Sequence, residues 1–597
     1  MSNRPVVPDI LMSVINIIHA VPRMDTDDNW ILNPDKIWSL RFKARLSVPE
    51  SLFMPRESAW HLLIWSKGFD QIVRIYPDKE HGIDATFQHQ DFNQQASSLP
   101  WRTGKPCLEQ SLSIFGRRSW SDEPAELLQR IAWMLQRLML WIDSAACSSL
   151  VMKGEPLELP VLPGAIHHPL VGFSETREDF SKAIQSPGQW GTASVPPLTG
   201  AHHTHYIARF HDQKDRIIRT PEWSAMMHNR KQTSNALWLM LEHLPVLAPW
   251  QAPTRWYQLN SLLSDQGISL EKIFTEAGIF IRRNRFKLTP SFLLLGFPLA
   301  EKIGSAPFRL HWLALKCPYL SHKSYRRDGF RVSERNHRRW DAEAAVSTQN
   351  LYWLQSSNWA PDQVRTRGGA EDEMKQKQVL IIGAGALGSA ISDNLLRMGI
   401  CRMGIMDHDT VAMGNLSRHV LDMSSVGRSK ASALAEHLNR TMPDARVRAF
   451  NSAFPPENLQ TSQAIKNYDV IIDCTADDDV LRALSLFEWP EEKLFISLSI
   501  SWQAEGLFAF AASEARFPVV DALAHFDKSP APPIAELDRH TEGMGCWHAV
   551  FPATAADIQL WASVSTRFIL SAMKATGRQY AYYRQTPEGT VEKVNVE

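Results

Sequence analysis

Residues 379–388 read VLIIGAGALG. The apolar run 379–382 has the pattern of a parallel strand buried on both faces. It runs directly into Gly383, Gly385 and Gly388, the G-x-G-x-x-G spacing. Beyond the turn Ile391, Leu395 and Met398 fall at i, i+4 and i+7, one face of a helix. The glycines therefore sit between a strand and a helix, where a side chain would hold the backbone away from a phosphate. The next strand, residues 403–406, ends at Asp407, 19 residues past the last glycine. That is about the ~20-residue distance at which an acid reaches a ribose hydroxyl. By itself this pattern is most often a dinucleotide fold, so a dehydrogenase is the default.

The residues that follow change the reading. Asp409, Asn415, Arg418 and Lys430 crowd the stretch after the second strand. A nicotinamide enzyme has no use for them, whereas an enzyme that adenylates a carboxylate does. Arg418 and Lys430 suit the phosphates of ATP, where charge develops on the leaving pyrophosphate. An acid after the next strand, Asp473 or Asp477, suits Mg²⁺ held against those phosphates.

These four elements, GAGALGS, DxDxVxxxNLxR, GxxKA and DCT-x-D, resemble in order the ThiF/MoeB/ubiquitin-activating superfamily, over about residues 375–597. The resemblance implies a Rossmann-like adenylation domain that binds ATP and Mg²⁺. It places Asp407 on the ribose, Arg418 and Lys430 on the phosphates, and an aspartate after DCT on magnesium. Here the common DCTD spacing is DCTAD, so the magnesium acid is read as Asp477, with Asp478 as the alternative. In related dimers an arginine upstream of the glycine turn reaches the partner's ATP site, and Arg365 and Arg367 stand in that region.

At 597 residues the chain is too long for one domain. Lysine plus arginine equals aspartate plus glutamate at 64 each, which excludes a chain built to coat nucleic acid or an anionic membrane. The six cysteines are widely spaced and form no CxxC pair, which argues against a disulfide framework or a structural zinc site. With neither a signal-peptide pattern nor a membrane-length apolar run, the chain reads as a soluble cytoplasmic protein.

Residues 8–20 carry Leu11, Val14, Ile15 and Ile18 at helical spacing. Residues 40–46 alternate, with Phe42, Ala44 and Leu46 opposite Arg41, Lys43 and Arg45, a half-exposed antiparallel strand. Residues 60–65 and 71–76 read as two more strands. An irregular stretch, 77–106, leads to Cys107, Ser121-Asp122 reads as a helix cap, and Leu128, Ile131, Leu135 and Leu138 mark the helix that follows. Helix, meander, long loop, cysteine, helix is similar in layout to a ubiquitin-conjugating domain, over about residues 1–150, and the resemblance makes Cys107 the acceptor nucleophile. Those enzymes carry His-Pro-Asn shortly before the cysteine. This chain instead has FQHQDFNQ, with His89 and Asn93, further upstream.

Residues 157–164, LELPVLPG, read as a linker. The span 151–370 shows no catalytic pattern and reads as a folded docking domain. The histidines at 167–168 and at 202, 203 and 205 lack partners at ligand spacing and read as surface residues. The arginine-rich span 323–339 reads as a solvated face. In the last domain, 371–597, residues 495–500 read as a strand and residues 516–545 as a long coil ending in Gly-Met-Gly-Cys546. Leu560, Val564 and Phe568 then mark a helix. A glycine-flanked cysteine on such a coil suits a thiolate that must approach an acyl adenylate. In the superfamily this crossover loop carries the thioester cysteine, which the resemblance assigns to Cys546.

The fold class is thus multidomain α/β plus α+β. The domain order resembles the activating–conjugating fusion of type II CBASS, a bacterial anti-phage system. It implies adenylation of a partner protein's C-terminus, a thioester on Cys546, transfer to Cys107 and conjugation to a target lysine. The partner implied is a cGAS-like cyclic-nucleotide synthase (CD-NTase), and the enzyme is implied to be a homodimer through the adenylation domain. Three alternatives remain: a ubiquitin-like partner with the same chemistry, a sulfur-carrier activator that does not need Cys107, and an NAD-dependent oxidoreductase.

Overall fold

The structure is a computed structural model that describes residues 7–33, 35–65, 72–95, 98–108, 123–165, 169–180, 186–224, 227, 235–283, 290–321, 330–528, 541–542, 548–549, 553–586 and 588–594. The chain forms two compact units, Met1–Arg219 with Gln232–Ser357, and Thr220–Lys231 with Asn358–Glu597.

The first unit opens with α1 (Asp9–Ala20), whose buried face is Leu11, Val14, Ile15 and Ile18, the four residues at helical spacing. Next come β1 (Met24–Leu32), β2 (Ile37–Arg45), β3 (Glu57–Trp65) and β4 (Val73–Pro77), an antiparallel meander in that spatial order. Strand β2 alternates as its sequence requires, with Phe42 and Ala44 buried and Lys43 and Arg45 exposed. Strand β1 has no such signature. Its sequence MDTDDNWIL is polar, and its register with β2 shifts between Thr26 and Trp30. Burial of Trp30, whose Nε1–H donates to the Leu11 carbonyl at 2.9 Å, holds it in the sheet.

Helix α2 (Leu127–Ala146) covers the sheet with Ile131, Leu135 and Leu138, all fully buried. Its cap differs from the sequence expectation: the Glu126 carboxylate, after Pro124, accepts from the Gln129 N–H. Ser121 and Asp122 lie outside the described residues.

The same unit holds a second, nine-stranded sheet. Its strands are β5 (Leu170–Phe173), β6 (Trp190–Ser194), β7 (Thr204–Tyr206), β8 (Arg209–His211), β9 (Ile217–Arg219), β10 (Asn235–Met240), β11 (Phe292–Leu299), β12 (Arg309–Lys316) and β13 (Trp353–Asn358). The spatial order is β7-β5-β13-β12-β11-β10-β6-β8-β9. One face packs on α3 (Trp256–Asp265), α4 (Leu270–Arg283) and α5 (Glu334–Ala345). Within α5, Arg338 and Arg339 pair with Glu334 and Glu343 at i,i+4 spacing, the solvated face expected of this arginine-rich stretch. His202 and His203 are exposed as expected, but His205 is half-buried with its ring against Phe292, because β7 turns it toward the sheet; residues 166–168 lie outside the described set.

The second unit is built on an eight-stranded sheet: β14 (Val379–Ile382), β15 (Arg402–Met406), β16 (Arg446–Phe450), β17 (Val470–Asp473), β18 (Lys493–Ile500), β19 (Gly506–Glu514), β20 (Gln579–Gln585) and β21 (Val591–Val594). Its order is β16-β15-β14-β17-β18-β19-β20-β21. The first five of these are parallel and the remainder antiparallel. Strand β14 is central and apolar on both faces. Val379 and Ile381 enter one core, Leu380 and Ile382 the other. The covering helices are α6 (Ala386–Arg397), α7 (Lys430–Thr441), α8 (Leu459–Ile465), α9 (Asp478–Leu486), α10 (Val519–Phe526) and α11 (Ala555–Lys574).

One expectation needs correction here. The coil expected at 516–545 contains helix α10, which follows Pro518 and buries Ala522, with Leu523 and Phe526 against the core. The helix expected from Leu560, Val564 and Phe568 is α11; its buried stripe is Ile558, Trp561, Ala562, Ser565, Thr566, Phe568, Ile569 and Ala572, with Leu560 and Val564 partly buried against the same core. No helix of the described residues is long and apolar enough to cross a membrane.

Candidate functional site

Strand β14 ends at the carboxyl edge of the parallel strands, at the point where the sheet order reverses, which is where open α/β sheets bind ligands. The three glycines of the turn have three different reasons. Gly383 takes φ +93°, and its N–H donates to the Met406 carbonyl at 2.9 Å, tying the turn to β15. A Cβ on Gly388 would lie 2.0 Å from the Gly383 carbonyl oxygen, so helix α6 approaches the turn only without one. A Cβ on Gly385 would meet nothing within 4 Å. Nothing in the described protein requires glycine at 385; the bare backbone faces open space, the cradle a phosphate needs.

Side chains from the stretch after β15 pin this turn. One Asp407 oxygen accepts from the Ala384 N–H at 2.7 Å and the other from the Asp409 N–H at 2.8 Å. The Lys430 Nζ, at the start of α7, sits 2.9 Å from Asp409 and holds that carboxyl below the usual carboxylate range. Asn415 caps its own short turn, its Oδ1 accepting from the Ala412 N–H at 3.0 Å. Arg418 is half-buried, and its guanidinium has no protein partner among the described residues.

His419 was not singled out by the sequence, since nothing there separates it from a surface histidine. Its Nε2–H donates to the Ala384 carbonyl at 2.8 Å, and its Nδ1 accepts from the Leu421 N–H at 3.2 Å. This brings Asp407, Arg418 and the glycine turn to one edge of the sheet.

The two acids proposed after β17 separate clearly. Asp473 is 1 % exposed, and burial pushes its carboxyl up to about 6. Its oxygens accept from the Thr475 N–H and hydroxyl at 3.1 and 2.6 Å and from the Ser497 hydroxyl at 2.9 Å. They are committed to the end of β17. Asp477 is exposed and caps α9, one oxygen accepting from the Asp479 N–H at 2.9 Å. The residue inserted before it, Ala476, takes φ +57°, a left-handed conformation that absorbs the extra residue of DCTAD. Asp478 is also exposed.

Arg365 is buried at 8 % exposure and fully used by its own unit. It makes a two-pronged pair with Asp444 at 2.7 and 3.0 Å and donates to the Leu396 and Arg397 carbonyls at the end of α6. Arg367, two residues on, is exposed.

In the first unit Cys107 is exposed, its N–H donating to the His89 carbonyl at 2.7 Å. The next residue, Leu108, is buried, and its carbonyl accepts from the Arg137 Nε–H of α2 at 2.7 Å. Asn93 is buried and structural. Its amide donates to the Ile83 and Ala85 carbonyls at 2.8 and 2.9 Å, and its oxygen accepts from Arg102 at 3.2 Å. His89 takes φ +55° and meets Glu158 through its ring at 3.2 Å and its N–H at 3.1 Å. By contrast, Cys401 and Cys317 are buried, and burial raises both thiols, Cys401 to about 12, against forming a thiolate. Cys546, with Gly543 and Gly545, lies outside the described residues.

Comparison with known proteins follows the same lines. Residues 148–359 match a family described as the Cap2 central linker domain, and residues 360–493 match the ThiF family. The ATP-dependent ubiquitin transferase-like protein Cap2 of Enterobacter hormaechei subsp. hoffmannii is 50% identical over 588 residues, 98% of this chain and 98% of that protein. The adenylyltransferase and sulfurtransferase UBA4 of Kluyveromyces lactis is 39% identical over 17% of this chain and 23% of its own length. The molybdopterin-synthase adenylyltransferase of Escherichia coli is 30% identical over 19% of this chain and 46% of its own. These two local likenesses cover a small share of the chain, whereas the likeness to Cap2 runs nearly end to end. The chain therefore belongs to the Cap2 family of ATP-dependent ubiquitin transferase-like proteins, and is an ATP-dependent adenylating and conjugating enzyme.

Proposed function

We propose that the chain activates the C-terminal carboxylate of a partner protein and passes it through two cysteines to a target amine. The glycine turn, open at Gly385, would hold the phosphates of ATP, with Asp407 for the ribose and Arg418 and Lys430 for the phosphates. Asp477 is the residue that would hold Mg²⁺, whose charge offsets that of the phosphates. The partner's carboxylate attacks the α-phosphorus and pyrophosphate leaves. The Cys546 thiolate then attacks the acyl carbon, AMP leaves and a thioester forms. Cys107 attacks that thioester, releasing Cys546. Finally a lysine amine attacks the Cys107 thioester to give an amide and the free thiol.

The observation that carries this reading is the loop of Arg418. The adjacent residue, His419, is bonded to the Ala384 carbonyl of the glycine turn, and the Arg418 guanidinium has no partner among the described residues. A cation left unpaired on a loop tied to an open backbone cradle supports a polyphosphate over a nicotinamide. The exposure of Cys107 supports the second half of the relay. The partner we propose is the C-terminus of a CD-NTase, in bacterial cytoplasmic defence against phage; a ubiquitin-like protein is the alternative. We further propose a homodimer through the adenylation domain, in which Arg367, not the committed Arg365, reaches the neighbouring subunit.

The test incubates the chain with ATP, Mg²⁺ and a lysate of its own cell, followed by non-reducing gels. A thiol-sensitive adduct is expected in the wild type, absent in Cys546→Ala and confined to Cys546 in Cys107→Ala. AMP release without any adduct on Cys107 would remove the conjugating step and favour sulfur-carrier chemistry.

A further inference from the structure

Ala384 is held on both sides, through the peptide groups that flank it. Its N–H donates to Asp407 at 2.7 Å, and its carbonyl accepts from His419 Nε2 at 2.8 Å. The second His419 bond fixes which nitrogen carries the proton. Nδ1 accepts the Leu421 N–H at 3.2 Å, so its lone pair is in use and the proton must be on Nε2. An imidazolium would put a second N–H at Nδ1, directly against the Leu421 N–H. One ring therefore ties the glycine turn to the loop that carries Arg418, and it does so only when neutral.

We propose that His419 is the positioning residue of the nucleotide turn: its neutral imidazole braces the Ala384 carbonyl against the Leu421 N–H, and its protonation sets a second N–H against Leu421 and releases the Arg418 loop from the turn, while Nε2–H keeps its bond to Ala384. This rests on reading the turn as the ATP site. The surroundings are consistent. Burial lowers the affinity of the ring for a proton, assisted by Lys430 and His437 from α7, while Asp407 at the end of β15 and the Ala384 carbonyl oppose it. The working state is therefore neutral at physiological pH, and it is lost only on acidification beyond the ordinary histidine value of about 6.5, since burial lowers the ring's affinity for the proton.

His419→Gln separates this role from simple packing. Glutamine carries a donor for the Ala384 carbonyl and an acceptor for the Leu421 N–H, and does not titrate. His419→Leu has neither. Binding of ATP to the full chain is measured at pH 8 and pH 5.5 for the three proteins. His419→Leu is expected to bind about tenfold more weakly at pH 8, a loss on the scale of two hydrogen bonds. His419→Gln is expected to restore binding relative to His419→Leu. It should also lose less affinity than the wild type on acidification, by at least about threefold. The phosphates of ATP are common to both proteins and cancel in that ratio.

Amide exchange at Leu421, corrected for intrinsic pH dependence, supplies a readout without ATP. Its exchange is expected to rise on acidification in the wild type and not in His419→Gln. Equal acid-side losses in wild type and His419→Gln, or pH-independent exchange at Leu421 in the wild type, would overturn the proposal. Acid-dependent exchange with no ATP binding at any pH would leave the brace standing and remove the ATP reading instead.

Discussion

The glycine turn of the second unit and the Cys107 loop of the first are both irregular stretches held in one conformation, by different means. At the turn, Asp407 and His419 clamp one residue, Ala384, and the absence of a side chain at Gly388 lets α6 close on it. In the cysteine loop the Cys107 N–H goes to a backbone carbonyl, that of His89, while the Arg137 side chain takes the carbonyl of the buried Leu108. The turn admits only certain residue types and so leaves a motif, whereas a cysteine held through its own backbone N–H on another backbone carbonyl leaves a layout.

The largest expected effect is at Gly388. A methyl group there meets a carbonyl oxygen that cannot move without unwinding the turn, so Gly388→Ala should cost ~3 kcal/mol or more and abolish AMP formation. The contrast is Gly385→Ala, where open space leaves stability within ~0.5 kcal/mol while ATP binding falls. Thermal unfolding beside ATP titration checks both. If both variants bind ATP normally, the turn is not the nucleotide site and the comparison fails.

Close behind is Arg365→Leu, which strands Asp444 half-buried and frees two carbonyls at the end of α6. Unfolding should show a loss of ~3 kcal/mol. A purely intersubunit role for this arginine would instead change the dimer and spare the monomer's stability.

Asp473 provides the pH test. Its folded value of about 6 lies above that of an unfolded aspartate, so the folded state holds the proton more tightly. Its contribution is complete below about pH 4 and lost as pH rises through about 6, worth up to ~3 kcal/mol. The unfolding temperature of the wild type should therefore fall relative to Asp473→Asn across that window. Parallel profiles would mean that hydrogen bonds from Thr475 and Ser497 keep the carboxylate charged.

The smallest of these effects sharpens the Cys107 side. Asn93→Ala removes three hydrogen bonds from buried carbonyls and Arg102, and should cost ~2 kcal/mol. Cys107→Ser should leave stability within ~0.5 kcal/mol, because the exposed thiol holds nothing together. Urea denaturation distinguishes them. An unchanged midpoint in Asn93→Ala would return that residue to consideration as an oxyanion donor.

These contrasts mark how far the sequence could be read. The strand–glycine–helix unit was legible because apolar runs and glycines answer to local geometry. Helix α1 and strand β2 were legible because burial imposes a period of 3.6 or 2. Strand β1 was not, because a polar edge strand owes its place to its neighbour and to one buried tryptophan. Helix α10 was missed because prolines that bracket a helix and prolines that break one look alike in sequence.

The sequence by itself determined the parallel sheet, the nucleotide-type turn and the Asp407, Arg418 and Lys430 set as candidates. These follow from residue type and spacing along the chain, whereas Cys107 and Cys546 became candidates through the resemblance to conjugating and activating domains. Only the tertiary structure decided that Asp473 is sealed inside and Asp477 is not, that Arg365 is spent on its own helix, that Asn93 is a buried staple, and that His419 braces the turn. These are matters of which groups lose water and which meet a partner distant in sequence. Neither solvent exposure nor a long-range hydrogen bond is encoded at any single position.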